Sequence, residues 1–237
     1  MLRRLPHPRR GFTQGLIVDG GTVWESTGQY GQSSLRRYTL GAEQPEGCAP
    51  VPPELFAEGI CRAGAHIWQL TWKERVALRF DPDTLAILGT VSYNREGRGI
   101  CNAGDHLVTS DGSSELVRRD PQTLQPLGLI MVRCGGERVA GLNDLDWAGG
   151  RVWANLLGRR YLVGIDPDSG QVADIVDARA ALAKEHHWAD PQAVLNGVAS
   201  LPGAGEFLLT GKGWRYIHHV RLVEGHSRKR PELLLHG

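Results

Sequence analysis

The stretch Leu55-Phe56-Ala57-Glu58-Gly59-Ile60-Cys61-Arg62-Ala63-Gly64-Ala65-His66-Ile67-Trp68-Gln69-Leu70-Thr71-Trp72 reads as strand, tight turn, strand. It returns downstream. Gly59-Ile60-Cys61, Ala63-Gly64 and His66 reappear as Gly99-Ile100-Cys101, Ala103-Gly104 and His106, an offset of 40 residues from 59 to 99. Strand-turn-strand units with a period of about 40–45 residues are the sequence mark of a β-propeller, one repeat per blade.

Working outward, five units share a second-strand anchor: Thr22-Val23-Trp24, His66-Ile67-Trp68, His106-Leu107-Val108, Arg151-Val152-Trp153 and Glu206-Phe207-Leu208. A glycine-bearing turn precedes each. A third strand follows each, over 34–38, 76–80, 116–119, 162–165 and 216–220. Three of these run into Asp81-Pro82-Asp83-Thr84, Asp120-Pro121-Gln122-Thr123 and Asp166-Pro167-Asp168-Ser169-Gly170, turns in which Pro presets φ and Asp caps the backbone. Fourth strands are expected over 86–91 and 171–176. The expected fold is an all-β, five-bladed β-propeller with four-stranded antiparallel blades, a single domain over 1–237. Residues 178–187 have helix-like composition and read as a short helical insertion or loop between blades 4 and 5. Either the segment 231–237 or the short strand before Pro6 completes the last blade.

Composition agrees with a folded all-β chain. Hydrophobic residues make up 41% and charged residues 22%, enough for a real core, and 31 glycines imply many tight turns. A net charge of +1 gives no general attraction to nucleic acid or to a membrane surface. No apolar run approaches the roughly 18 residues of a membrane span. No apolar run follows the arginines of residues 1–10, so the chain as written reads as cytoplasmic; a presequence outside it would make the protein periplasmic or secreted. Cys48, Cys61, Cys101 and Cys134 show no CxxC spacing and are expected to be reduced and structural, with Cys61 and Cys101 in one register of adjacent repeats.

First strands of propeller blades line the central channel, so equivalent positions converge. One ring of such positions is Gln14, Glu58, Arg98, Asn143 and, with a two-residue insertion, Asn196; all are polar and only Glu58 is a carboxylate. A second ring, at the exit of the second strands, is Gly28, Trp72, Gly112, Leu157 and Lys212. A carboxylate beside a Trp wall and a lysine is a candidate acid/base centre. Burial would raise the Glu58 pKa and Lys212 would oppose the rise.

The motifs resemble the plant and bacterial type of glutamine cyclotransferase (glutaminyl-peptide cyclotransferase), a five-bladed propeller family. The stretches that carry the resemblance are Phe12-Thr13-Gln14-Gly15-Leu16, Glu25-Ser26-Thr27-Gly28-Gln29-Tyr30-Gly31-Gln32-Ser33, Glu58-Gly59-Ile60, Gln69-Leu70-Thr71-Trp72-Lys73-Glu74, Ser110-Asp111-Gly112-Ser113, Leu142-Asn143-Asp144-Leu145-Asp146, Trp153-Ala154-Asn155, Leu195-Asn196-Gly197 and Thr210-Gly211-Lys212-Gly213-Trp214. The resemblance implies cyclisation of an N-terminal glutamine to 5-oxoproline with loss of ammonia. It implies Glu58 as general acid/base and Lys212 as an oxyanion partner. Gln14 and Asn143 would hydrogen-bond the substrate, and Phe12, Phe56 and Trp72 would be apolar walls. It departs from the family at Arg98, which stands where Glu-Gly-Trp-Gly is usual, and at Leu157, where a Trp is usual; both still belong to the expected substrate-binding set.

The implied partner is a peptide or protein with N-terminal Gln, acted on by a monomer with no cofactor; a structural calcium in the channel is compatible with the resemblance and has no sequence signature. Two other functions share the ring. A non-catalytic propeller would bind a peptide or small molecule through the same mouth, favoured by Arg98 and Leu157. A lactonase-like enzyme would hold calcium on Glu58, Asn143 and Asn196, opposed by Arg98 and Lys212. Trp24, Trp68 and Trp153 read as blade core, Trp214 as rim packing, and Glu25, Asp111, His66 and His106 as scaffold. His186, His187 and Asp190 do not read as a metal site.

Overall fold

The computed structural model describes residues 1–179, 191–203 and 205–225. The segment β1 (Arg3–Pro6) is followed by a single 3-10 turn, Pro8–Arg10. Blade 1 comprises β2 (Thr13–Asp19), β3 (Thr22–Thr27), β4 (Ser34–Thr39) and β5 (Gly47–Pro50). Blade 2 comprises β6 (Ala57–Ala63), β7 (His66–Thr71), β8 (Val76–Phe80) and β9 (Ile87–Ser92). Blade 3 comprises β10 (Ile100–Asn102), β11 (Leu107–Ser110), β12 (Glu115–Arg119) and β13 (Pro126–Met131). A small hairpin, β14 (Arg133–Cys134) and β15 (Glu137–Arg138), precedes blade 4. That blade is β16 (Leu142–Ala148), β17 (Arg151–Leu156), β18 (Tyr161–Ile165) and β19 (Val172–Asp177). Blade 5 uses β20 (Leu195–Ser200), β21 (Glu206–Gly211) and β22 (Tyr216–Arg221), and its fourth strand is β1.

Each second strand is buried on both faces, because it lies between two neighbouring blades. Val23, Ile67, Leu107, Val152 and Phe207 pack toward the preceding blade; Trp24, Trp68, Val108, Trp153 and Leu208 pack toward the following one. The core is thus five apolar sandwiches, one per blade interface. The Asp-Pro turns are docking points for the preceding blade. The Asp81, Asp120 and Asp166 carboxylates each accept hydrogen bonds from the backbone and hydroxyl three residues on. The carbonyls of Pro82 and Pro121 then accept the indole N–H of Trp24 (3.2 Å) and Trp68 (3.0 Å) from the blade before.

The N-terminal segment closes the ring: Arg3 pairs with His219 and Pro6 with Tyr216. Residues 180–190 and 226–237 lie outside the described residues, and with them most of the expected insertion at 178–187, the pair His186-His187, Asp190 and the alternative closing segment. Cys48 is exposed and Cys61, Cys101 and Cys134 are buried, and none of the four forms a disulfide. His66 stacks on Trp68, as a scaffold residue does. Glu25 is structural, but it bonds side chains rather than backbone amides.

That carboxylate belongs to the ring's latch. His7 Nε2 lies 2.8 Å from Glu25 Oε1 and His7 Nδ1 lies 2.8 Å from the Trp214 carbonyl, which joins blade 1 to blade 5. Both partners only accept, so both ring nitrogens carry hydrogen and His7 is an imidazolium. Burial opposes that charge, but the Glu25 carboxylate outweighs burial and raises the His7 pKa. Its contribution to stability is therefore complete below pH 6.5 and is lost as pH rises through the raised value. His7→Ala leaves Glu25 buried without its cation. It is expected to cost about 3–5 kcal/mol in denaturant unfolding at pH 6; a loss below about 1 kcal/mol would show that strand pairing alone closes the ring.

Candidate active site

The first strands converge at one register where side chains have almost no room. A Cβ at Gly15 would lie 2.7 Å from the Ile60 nitrogen, and one at Gly59 would lie 2.5 Å from the Arg98 carbonyl oxygen. Gly99 and Gly197 hold the same register in blades 3 and 5. Directly before it, the β2–β3, β6–β7, β16–β17 and β20–β21 ladders all slip by one residue. Such bulges re-aim a side chain. The re-aimed residues are Gln14, Glu58, Asn143 and Asn196, all nearly fully buried. Arg98 stands just ahead of β10 and takes its place through Arg98 N–H to Ser110 O, 3.0 Å.

Within this ring Asn143 Nδ2 donates to Asn196 Oδ1 at 2.7 Å, and Asn196 Nδ2 donates to Gln14 Oε1 at 2.6 Å. The second ring is also in register. The amides of Gly28, Trp72, Leu157 and Lys212 donate to the carbonyls of Phe12, Phe56, Gly141 and Val194, each two residues before a first-ring position. Gly28 must lack a side chain, because a Cβ there would lie 2.5 Å from the Phe56 ring.

The aromatic wall follows from this backbone frame. Phe56 meets Phe12, Tyr30 and Trp72 edge-on, with centroids 6.4, 5.3 and 5.6 Å away. Lys212 Nζ stands 4.9 Å from the Phe12 centroid. The Arg98 guanidinium lies over Trp72, 5.0 Å from its centroid, and its Nη1 is 3.5 Å from Glu58 Oε1. Leu157 keeps its register position yet is 38% exposed, with its backbone tied to Gly141. Among the described residues no ring contact or hydrogen bond joins its side chain to the aromatic wall.

Glu58 is 1% exposed. Its Oε2 and the Arg98 Nε are both buried without a partner. Burial raises the Glu58 pKa to about 8; Arg98 and Lys212 pull the other way and do not win, and Glu74 and Glu96 reinforce burial. Lys212 is lowered, first by burial, then by Arg98, against the attraction of Glu58. Arg98 faces Glu58, yet the net shift of the carboxyl is upward.

Sequence reasoning missed several neighbours. Glu74 accepts the Tyr30 hydroxyl at 2.8 Å and the Phe56 amide at 3.3 Å, and Glu96 accepts the Trp72 indole N–H at 3.0 Å. Asp144 occupies the register that is glycine in the other four blades. Its Oδ2 accepts the Val198 amide at 2.9 Å, and Asp146 Oδ2 accepts the Ser200 amide. Both aspartates are raised by burial, Asp146 to about 6. The break in the glycine register was the signal that could have found Asp144. The calcium set of the lactonase alternative does not assemble: Asn196 Oδ1 is taken by Asn143, and Glu58 faces a guanidinium. No cluster of three His, Cys, Asp or Glu suited to a metal occurs among the described residues.

Three comparisons bear on this site. Residues 1–222 match the sequence profile described as glutamine cyclotransferase. The chain is 30% identical to a glutaminyl-peptide cyclotransferase of Arabidopsis thaliana, covering 96% of this chain and 72% of the relative. The crystal structure of Myxococcus xanthus glutaminyl cyclase superposes with a TM-score of 0.87 at 34% identity, over 93% of this chain and 94% of that one. The buried glutamate, its lysine and the aromatic wall therefore sit in a chain that belongs to the glutamine cyclotransferase family.

Proposed function

We propose that this protein is a glutaminyl-peptide cyclotransferase, an acyl-transfer enzyme that closes an N-terminal glutamine to 5-oxoproline and releases ammonia. The observation that carries the reading is Glu58: a buried carboxyl with one unpartnered oxygen, beside two cations and an aromatic wall. The α-amine attacks the side-chain amide carbon, the new C–N bond forms, and the C–NH₂ bond breaks. Glu58 takes the proton from the amine and returns it to the departing nitrogen. Lys212 is the group for the developing oxyanion. Gln14, Asn143 and Asn196 present a fixed polar edge. Phe12, Phe56 and Trp72 confine the aliphatic stem, which favours the cyclising conformer.

The magnitudes suit this chemistry. A peptide α-amine titrates near 7.7–8.0, and Glu58 is raised to about 8. Proton transfer between them is nearly balanced in energy, the condition under which a general base is most effective. Base, acid and oxyanion partner are all side chains, so the mechanism calls for no metal.

The test is ammonia release from a short peptide with N-terminal Gln, with and without chelator. Acceleration well above the spontaneous rate and indifferent to chelator is expected. Glu58→Gln is expected to lower kcat by roughly 10²–10⁴, and Lys212→Met by roughly 10²–10³. No acceleration by the parent protein would favour the binding-module function.

The productive state holds one proton between amine and carboxyl, so kcat/KM is expected to be bell-shaped with its maximum near the Glu58 value of about 8. Arg98 lowers the Glu58 pKa; Arg98→Gln should therefore move the alkaline limb to higher pH. An unmoved limb would show that Arg98 does not act on the carboxyl.

Stability should run opposite to activity. The folded-state pKa of Glu58 exceeds its ordinary 4.5, so the folded protein binds the extra proton and its stability falls as pH rises from 4.5 to about 8. Glu58→Gln removes that fall. Its melting temperature is expected to exceed the parent's at pH 8, with the gap closing toward pH 5.

A further inference from the structure

The charged groups around the mouth are unevenly satisfied. Of the acids there, Glu54 and Glu137 are exposed, and four others are engaged by the fold. Glu74 serves Tyr30 and Phe56, Glu96 serves Trp72, and Asp111 and Glu115 are both held by Arg95, at 2.9 and 2.7 Å. The cations are not. Lys73 lies 4.2 Å from the Trp72 centroid on an exposed turn; Arg75 and Arg215 are exposed; none of the three forms an ion pair with a described residue. Arg98 adds a guanidinium on the same indole, with a buried Nε–H that has no acceptor. Acidic turns, among them Asp81, Asp83, Asp105, Asp120, Asp166 and Asp168, lie at the opposite strand ends. At the end that carries Glu58, Lys73, Arg75 and Arg215 thus outnumber the exposed acids Glu54 and Glu137.

A substrate whose first residue reacts at Glu58 must leave across that end of the strands, where Trp72 and the loops bearing Arg75 and Arg215 lie. We infer that the enzyme prefers N-terminal glutamine peptides whose next residues are acidic, with the rim cations Lys73, Arg75, Arg98 and Arg215 as the specificity elements. The inference rests on the cyclotransferase reading above and names its substrate class. A carboxylate at the second or third position meets cations whose fields are not cancelled; a lysine there meets repulsion. Both effects are carried through solvent and weaken with salt.

The experiment compares Gln-Glu-Glu-Ala, Gln-Ala-Ala-Ala and Gln-Lys-Lys-Ala amides at pH 8. The expected order of kcat/KM is acidic, neutral, basic, with about a tenfold spread at about 20 mM salt that narrows several-fold at about 0.5 M. In an Arg75→Glu/Arg215→Glu double variant the ratio of acidic-peptide to basic-peptide kcat/KM should fall several-fold. Equal kcat/KM for the three peptides, or a spread untouched by both salt and the double variant, overturns the preference. Calorimetric binding of the same peptides to Glu58→Gln separates the two readings. Ordered binding without any cyclisation by the parent would remove the cyclotransferase reading and keep the acidic preference, whereas cyclisation without order would do the reverse.

Discussion

Five inner strands share one axis, and the space at that axis is the constraint on which the site depends. Where Gly15, Gly59 and Gly99 sit, neighbouring backbones approach so closely that a Cβ could not be placed without moving them, and at Gly197 a Cβ would meet the Thr210 methyl at 2.7 Å. Blade 4 meets the constraint differently. Asp144 fills the position and accepts the Val198 amide N–H, so blade 4 is joined to blade 5 there by a carboxylate. A strand this confined on one side of a position is free to swing the residue before it. Hence the bulges, which turn Gln14, Glu58, Asn143 and Asn196 out of ladder register toward the mouth. The placement of Glu58 is a consequence of packing one residue further along.

The same confinement sets the electrostatics. Glu58 cannot reach solvent, so its ionised form is costly, and two cations are not enough to cancel that cost. An exposed glutamate in the same company would be a fully ionised partner of Arg98, as its ordinary pKa implies. Burial converts it into a group that exchanges a proton near neutrality. Lys212 feels the mirror effect, lowered by the loss of water and held in part by Glu58. The ring that Glu58 shares is fastened by hydrogen bonds from Asn143 through Asn196 to Gln14.

Most of this architecture was legible in the sequence because a propeller writes its fold as a repeat. The anchors at Trp24, Trp68 and Trp153 placed the second strands, and the Asp-Pro turns placed the third and fourth. Equivalence between repeats then located two rings of residues without any knowledge of distance. What stayed hidden was whatever the repeat does not encode. The bulges change register inside a strand whose sequence looks continuous. His7 and Glu25 are far apart in the chain and meet only because the ring closes. Glu74 and Glu96 read as surface charge, since nothing local tells a solvated glutamate from one that holds Tyr30 or the Trp72 indole. Whether burial or the cations would govern Glu58 depended on its exposure, and exposure is a property of the assembled blades.

Arg98 shows how one position can serve wall and field at once. The resemblance that identified the family places an indole there, and a guanidinium preserves what an indole offers geometrically: a flat, delocalised face that stacks on Trp72. It differs in carrying charge and donors. One donor faces Glu58 at 3.5 Å, too long for a strong bond and close enough to lower the pKa of the carboxyl. A shorter contact would lock Glu58 as an ionised salt-bridge partner and remove it from proton exchange; a missing one would leave the carboxyl protonated to still higher pH. At the observed separation, with the guanidinium over the Trp72 indole, Glu58 lies between those limits.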